Sequence, residues 1–173
     1  MKKACLDLTV SSIDHLNEKY VLIKLTSQDA MPPMAPGQFV EVKVEKSPNT
    51  FLRRPISIHN FDAETNELWL LVARIGDGTR QMGELHVGDT LNCVLPLGNG
   101  FTMPDTADKR LLLVGGGVGV APLLYFGAEI KKMGGRPSFL LGARTKTDLL
   151  QLELFEALGD VYVTTEDGSY GER

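Results

Sequence analysis

The 173-residue sequence predicts a β + α/β fold, a six-stranded antiparallel Greek-key β-barrel followed by a partial parallel α/β unit. Two observations carry this reading. Up to about residue 100, apolar residues recur with period two in short runs punctuated by Gly and Pro. From Lys109 onward, compact apolar strands alternate with helix-spaced segments, the signature of parallel strands joined by crossovers. The expected boundaries are a barrel domain at 1–101, a linker at 102–109 in the polar, proline-containing stretch FTMPDTADK, and an α/β domain at 110–173, incomplete at its C-terminal end.

In YVLIKLTS, Val21, Ile23 and Leu25 share one strand face. PGQFVEVKVEK follows a Pro36-Gly37 turn and points Val40, Val42 and Val44 inward, with Glu41, Lys43 and Glu45 outward. FLRRPISIHN (51–60) is a strand with Arg54, Ile56 and Ile58 on one side and Pro55 and Ser57 on the other. ELWLLVARIG is apolar on both faces around Leu68–Val72, and TLNCVLPLG alternates through Leu91, Cys93 and Leu95. In the second half, RLLLVGGG is a strand running into glycines. VAPLLYFGAEIKKMGG is a helix with Lys131 and Lys132 in its last turn and Gly134-Gly135 as its stop. PSFLLGAR is a second buried strand, DLLQLELFEALG a second helix reaching Gly159, and VYVTT a third strand. Three strands, where doubly wound sheets have about five or six, point to a fragment or to a sheet completed by a partner. EDGSYGER reads as a loop launching another helix.

Composition excludes several classes. The formal charge is −4 with no Lys/Arg cluster, which argues against nucleic-acid binding. Cys5 and Cys93 stand far apart in no ligand-like spacing, so no metal site is expected in this chain and a reducing compartment fits. MKKACLDLTV lacks the apolar run of a signal peptide, and no stretch approaches the ~20 apolar residues of a membrane helix. A soluble cytoplasmic protein without membrane insertion is expected. His15, His59 and His86 are scattered and read as surface or half-buried residues.

Three segments carry candidate chemistry. LLLVGGGVGVAPLL (111–124) ends a strand in Gly115, Gly116, Gly117 and Gly119, with Pro122 in the first turn of the next helix. Such a turn either offers bare amides to a dinucleotide or permits close helix–strand packing. RIGDGTRQMGEL (74–85) makes a turn at Gly76-Asp77-Gly78, and Thr79 suits a cap; its hydroxyl and the Gly78 and Thr79 amides form a second candidate anion site. In FLRRPISIHN, proline and paired guanidiniums do not belong in a core, so the stretch is either an edge strand with solvated arginines or one whose Arg54 and Ser57 meet a ligand lying across it. Arg53 reads as facing solvent or a partner subunit.

Together, the R-P-I-S strand, the G-x-G-T turn and V-G-G-G-V-G-V-A-P resemble the ferredoxin reductase superfamily. Within it, RRPISI, LPLGNGF and LLVGGGVGVAPLL are most similar to the electron transfer subunits of dihydroorotate dehydrogenase. The resemblance implies an NAD(P)H-dependent flavin oxidoreductase subunit. It would pass electrons from NADH through FAD towards an iron–sulfur centre and a partner dehydrogenase in pyrimidine (orotate) biosynthesis. It further implies FAD in the barrel, with Arg54 at its phosphates, Pro55 and Ile56 in the motif strand, and Ser57 near the flavin ring. Leu71, Val72 and Ala73 would border the cofactor, Gly78 and Thr79 would hold its pyrophosphate, and Leu97–Phe101 would lie near the ring. NAD would bind at Gly115, Gly116, Gly117, Gly119 and Pro122. The implied partner is the catalytic dihydroorotate dehydrogenase subunit, or another acceptor protein, in a hetero-oligomer. Two departures stand out. Ile56 occupies a place where the wider superfamily often has a stacking tyrosine. No cysteine-rich segment follows the nucleotide domain, so a [2Fe–2S] cluster is expected only in a longer form. A ferredoxin-type NAD(P)H oxidoreductase subunit and a non-catalytic FAD-binding module are the alternatives. The absence of an acid–base constellation suits hydride transfer, in which the cofactors carry the chemistry.

Overall fold

A computed structural model describes residues 3–45, 47 and 49–172. The chain divides into two compact units, 1–100 and 101–173. The first contains β1 (Ala4–His15), β2 (Tyr20–Thr26), β3 (Phe39–Val42), β4 (Arg54–Asp62), β5 (Glu67–Ala73), α1 (Asp77–Met82) and β6 (Thr90–Leu97). The six strands close into an antiparallel barrel in the order β1-β2-β5-β4-β3-β6.

The period-two pattern is what closes it. Val21, Ile23, Leu25, Val40, Val42, Ile58, Leu68, Leu70, Cys93 and Leu95 are all fully buried. Val44 and Leu91 are nearly so. Register brings Ile23 opposite Leu70 and Leu25 opposite Leu68, so alternate residues of neighbouring strands fill the interior together. The outward face of the same pair is also apolar: Leu22 lies opposite Leu71, and both are buried.

Two sequence expectations in this unit are corrected. His59 is fully buried, not superficial, with its ring 6.5 Å from that of Trp69. The β4–β5 register shifts between Ile58 and Asn60, and such a bulge turns consecutive residues Ile58 and His59 into the interior. Arg53 is half-buried and held by the barrel's own strands rather than free in solvent. Its guanidinium donates to the backbone carbonyls of Glu41 (3.2 Å) on β3 and Asn92 (2.9 Å) on β6, and to the Asn92 side-chain oxygen. It ties the entrance of β4 across two neighbouring strands.

The second unit holds β7 (Leu112–Gly116), a 3-10 turn at Gly117–Val120, α2 (Ala121–Lys132), β8 (Ser138–Ala143), α3 (Leu152–Glu156) and β9 (Asp160–Thr165). The strands are parallel in the order β7-β8-β9. Lys131 and Lys132 sit in the last turn of α2, and Gly134 follows at φ +86°, the left-handed conformation that stops a helix. The second helix is shorter than the sequence pattern indicates. Lys146–Asp148 form a separate 3-10 turn, Leu149 is extended, and Gln151 is left-handed at φ 52°, so α3 begins only at Leu152.

Both helices cover one sheet face. Phe139 on β8 is fully buried, with its ring 5.1 Å from Phe155 of α3, and a Cβ on Gly127 of α2 would meet it at 2.6 Å. The opposite face presents the rung Val114–Leu140–Tyr162, whose outer members are exposed, with Leu112 exposed beside it. The described residues of the segment EDGSYGER, 166–172, form a turn that folds back on β9. The buried Thr165 hydroxyl donates to the Tyr170 carbonyl (2.7 Å) and accepts from its N–H (3.0 Å), and Glu172 then bridges to Thr164 beside β9. No helix among the described residues is long and apolar enough to cross a membrane.

Candidate functional site

Between the approach to β4 and the turn after β5 lies a cleft of about 520 Å³. One wall is Asn49–Leu52, the other Ala73 and Ile75–Thr79, and Arg54 lies between them. The second wall is built by the turn that the glycines allow. Thr79 Oγ1 accepts hydrogen bonds from the Ile75 and Gly76 amides (3.1 Å each) and donates to the Gly76 carbonyl (3.1 Å), closing the loop onto the start of α1. The hydroxyl is thereby engaged within the turn. Gly76, not Thr79, is the N-cap. The Asp77, Gly78 and Thr79 amides have no acceptor within a helix that begins there.

Gly78 allows a close approach of side chains to the turn. A Cβ there would sit 3.0 Å from Thr50 Cγ2 and 3.3 Å from Arg54 Cδ, so the arginine stem rests against bare backbone. Arg54 Nε donates to the Arg53 carbonyl (3.0 Å). Among the described residues, its terminal Nη atoms have no acceptor within hydrogen-bonding distance. The carboxylate nearest this wall, Asp77, is engaged by Arg80 at 3.1 Å.

Of the sequence-predicted residues, the cleft brings together Arg54, Ala73, Gly78 and Thr79. Leu71 and Val72 are buried at 2% and 1% exposure, leaving Ala73 as the member of that strand end that opens on the cleft. Pro55 is exposed, Ile56 points into the core, and Ser57 is half-buried further along β4, opposite Phe39 of β3. Gly98, in the loop after β6, lies against that same Phe39, which a Cβ on it would meet at 2.9 Å. Phe51, Leu52, Thr50 and Ile75 were missed. The available signal was Phe51-Leu52 itself, two apolar residues in a polar loop immediately before the arginines.

In the second unit, the predicted glycines divide by role. Gly115 is a packing residue: a Cβ would lie 2.8 Å from Leu123 Cδ1 and 3.1 Å from the Gly119 carbonyl. Gly117 adopts φ +53°, which disfavours side chains. Gly119 is exposed, and a Cβ on it would meet nothing within 4 Å, so here the chain leaves open space beside bare backbone. The 3-10 turn runs into α2, and Pro122 stands in the helix's first turn, where no N–H is needed. Arg144, after β8, is exposed, and Lys146 Nζ lies 5.2 Å from the Tyr170 ring centroid.

Burial pushes the Cys93 thiol up to about 12, against a weaker opposing pull from Arg53. Cys5 is exposed, on the opposite face of the β1–β6 pair. Among the described residues, no group of three or more His, Cys, Asp or Glu is placed to hold a metal ion.

No family model matches the chain. It is 39% identical over 137 residues to the electron transfer subunit of dihydroorotate dehydrogenase B (NAD(+)) from Shouchella clausii, covering 79% of this chain and 53% of that one. The same subunit from Geobacillus kaustophilus is 37% identical over 165 residues, 95% of this chain and 64% of that one. The chain thus spans between about half and two thirds of the length of these curated relatives. Among solved structures, an NADH-dependent reduced ferredoxin-NADP oxidoreductase superposes with a TM-score of 0.83 at 28% identity, over 96% of this chain and 59% of that one. Phthalate dioxygenase reductase superposes at 0.76 and 25% identity, over 95% of this chain and 53% of that one.

Proposed function

Because the chain is a homologue of the electron transfer subunits of dihydroorotate dehydrogenase B, with the two-part fold of the ferredoxin-reductase-like flavin oxidoreductases, we propose that it binds FAD on its barrel and relays electrons from NADH towards an acceptor protein. That acceptor, by analogy with the relatives' name, is the catalytic dihydroorotate dehydrogenase subunit. The observation that carries the reading is Arg54, which lines the cleft beside the bare backbone of Gly78 and whose terminal nitrogens have no acceptor among the described residues.

The donor set suits a diphosphate. A guanidinium delivers two parallel charge-assisted bonds, and the Gly78 and Thr79 amides add neutral ones. Asp77, which opposes an anion, is neutralised by Arg80. Ser57, with an exchangeable hydroxyl on the half-buried side of β4, offers a hydrogen bond to a heteroatom of the flavin ring. Ile56 supplies no stacking, since it points inward. Bound in this way, FAD supplies the hydride-accepting and electron-donating chemistry that no side chain here provides. In the second unit, the Gly119 backbone gives NADH an approach free of side chains, and Gly117 makes the turn that presents it. The residues present do not suit an iron–sulfur cluster, because the two cysteines point to opposite faces of the barrel wall.

The test uses the whole chain incubated with FAD, desalted, and then given NADH without oxygen. Retention of one flavin per chain and bleaching of its colour are expected. A colourless protein after desalting overturns the barrel site, and retained colour that NADH does not bleach overturns the nucleotide site.

A further inference from the structure

Phe51 is 92% exposed and Leu52 73%, while Ile75 on the facing wall is 74% exposed. A phenylalanine offered so completely to water is costly unless something covers it. All three line the cleft described above, together with Arg54. The phenylalanine is also presented in a defined way. On its N-terminal side, Thr50 N–H donates to the Ser47 carbonyl (2.9 Å), and the two hydroxyls meet at 2.7 Å. On its C-terminal side, Arg53 is tied to Glu41 and Asn92. The aromatic ring thus stands on a short span anchored at both ends.

Order along the chain gives the ring its place. Ser57 lies three residues beyond Arg54 on β4, about 10 Å at strand rise, and Phe51 lies three residues before it. The phosphate-binding guanidinium therefore separates the flavin-ring end of the groove from the aromatic end. Resting on the FAD reading above, we propose that Phe51, flanked by Leu52 and Ile75, is the stacking platform for the adenine of the dinucleotide and makes the site select FAD over FMN. FMN ends at its phosphate and has no group to set against Phe51. FAD carries a purine beyond the diphosphate, and any planar base stacks on an aromatic face.

Binding of FAD and of FMN to the full chain, measured separately by flavin fluorescence titration, tests this. Phe51→Ala is expected to weaken FAD about tenfold, the scale of one base–aromatic stack, and to leave FMN unchanged. Phe51→Trp should retain the wild-type preference. Because Phe51 makes no core contact, the melting temperature of the apoprotein should not move. Unchanged FAD affinity in Phe51→Ala overturns the proposal and leaves the ring to a protein partner. Equal losses for both flavins overturn it too, since they put the ring on the isoalloxazine. Wild-type protein that binds neither flavin overturns the FAD reading itself, a result distinct from either of these.

Discussion

Replacing Arg54 with alanine removes a guanidinium that does little for the fold and much for an anion. In the unliganded protein it makes one neutral-acceptor bond, to the Arg53 carbonyl at 3.0 Å, and its stem covers Gly78. That bond is worth about 1 kcal/mol in a half-buried setting, so the apoprotein should lose no more than a few degrees in melting temperature. Against a diphosphate, the same group supplies charge-assisted bonds worth about 1.5–3 kcal/mol. At about 1.4 kcal/mol per decade, that predicts roughly a 10- to 150-fold weaker FAD affinity. Equilibrium dialysis at two salt concentrations reads the effect, and the wild type should lose more affinity with salt than the variant, because one cation is gone. Arg54→Lys should recover part of the affinity, keeping the charge but not the fork. The reasoning is refuted if Arg54→Ala binds FAD as tightly as wild type, or if its apoprotein destabilisation matches the whole affinity loss.

Three further outcomes are expected. Gly115→Ala forces a Cβ to 3.1 Å from the Gly119 carbonyl and should cost about 1–3 kcal/mol in urea unfolding, whereas Gly119→Ala, entering open space, should be nearly neutral. Gly119→Val should then keep the fold and FAD but slow bleaching by NADH in stopped flow; undiminished reduction would remove that glycine from the nucleotide path. Burial raises the Cys93 thiol from 9.0 to about 12, so the folded state keeps a proton that the unfolded chain releases above pH 9. Stability is thus intact below pH 9 and falls by about 1.4 kcal/mol per unit between 9 and 12. Tyr125, raised from 10.0 to about 12 chiefly by burial, adds to the slope above pH 10. Urea midpoints across that range should show the decline, and Cys93→Ala should flatten its lower part.

The barrel was legible because its strands obey period two with few exceptions: Val40, Val42 and Val44, or Leu91, Cys93 and Leu95, declare their face without outside help. α2 was equally plain from its apolar spacing, terminal lysines and glycine stop. What escaped the sequence was non-local. The bulge that turns His59 inward depends on how β4 registers against β5, and one displaced residue inverts the expected face. Arg53 spans two neighbouring strands to reach Asn92, a separation of 39 residues that no local pattern encodes. α3 was overextended because its leucine spacing continues through Gln151, whose left-handed backbone the periodicity cannot foresee. Within the cleft, Arg54 and Gly78 were readable as motif residues. For the opposite lip, the Phe51-Leu52 pair was a visible signal, but its place across from Ile75 is set only by folding.

Among the described residues, the helices of the β7-β8-β9 sheet lie on one side, and solution behaviour follows. Leu112, Val114 and Tyr162 hold hydration water that is released with a gain in entropy whenever the face is hidden. Excluded solutes such as sulfate enlarge that gain. Replacing Val114 or Tyr162 with a charged residue should accordingly raise the sulfate concentration at which the protein salts out.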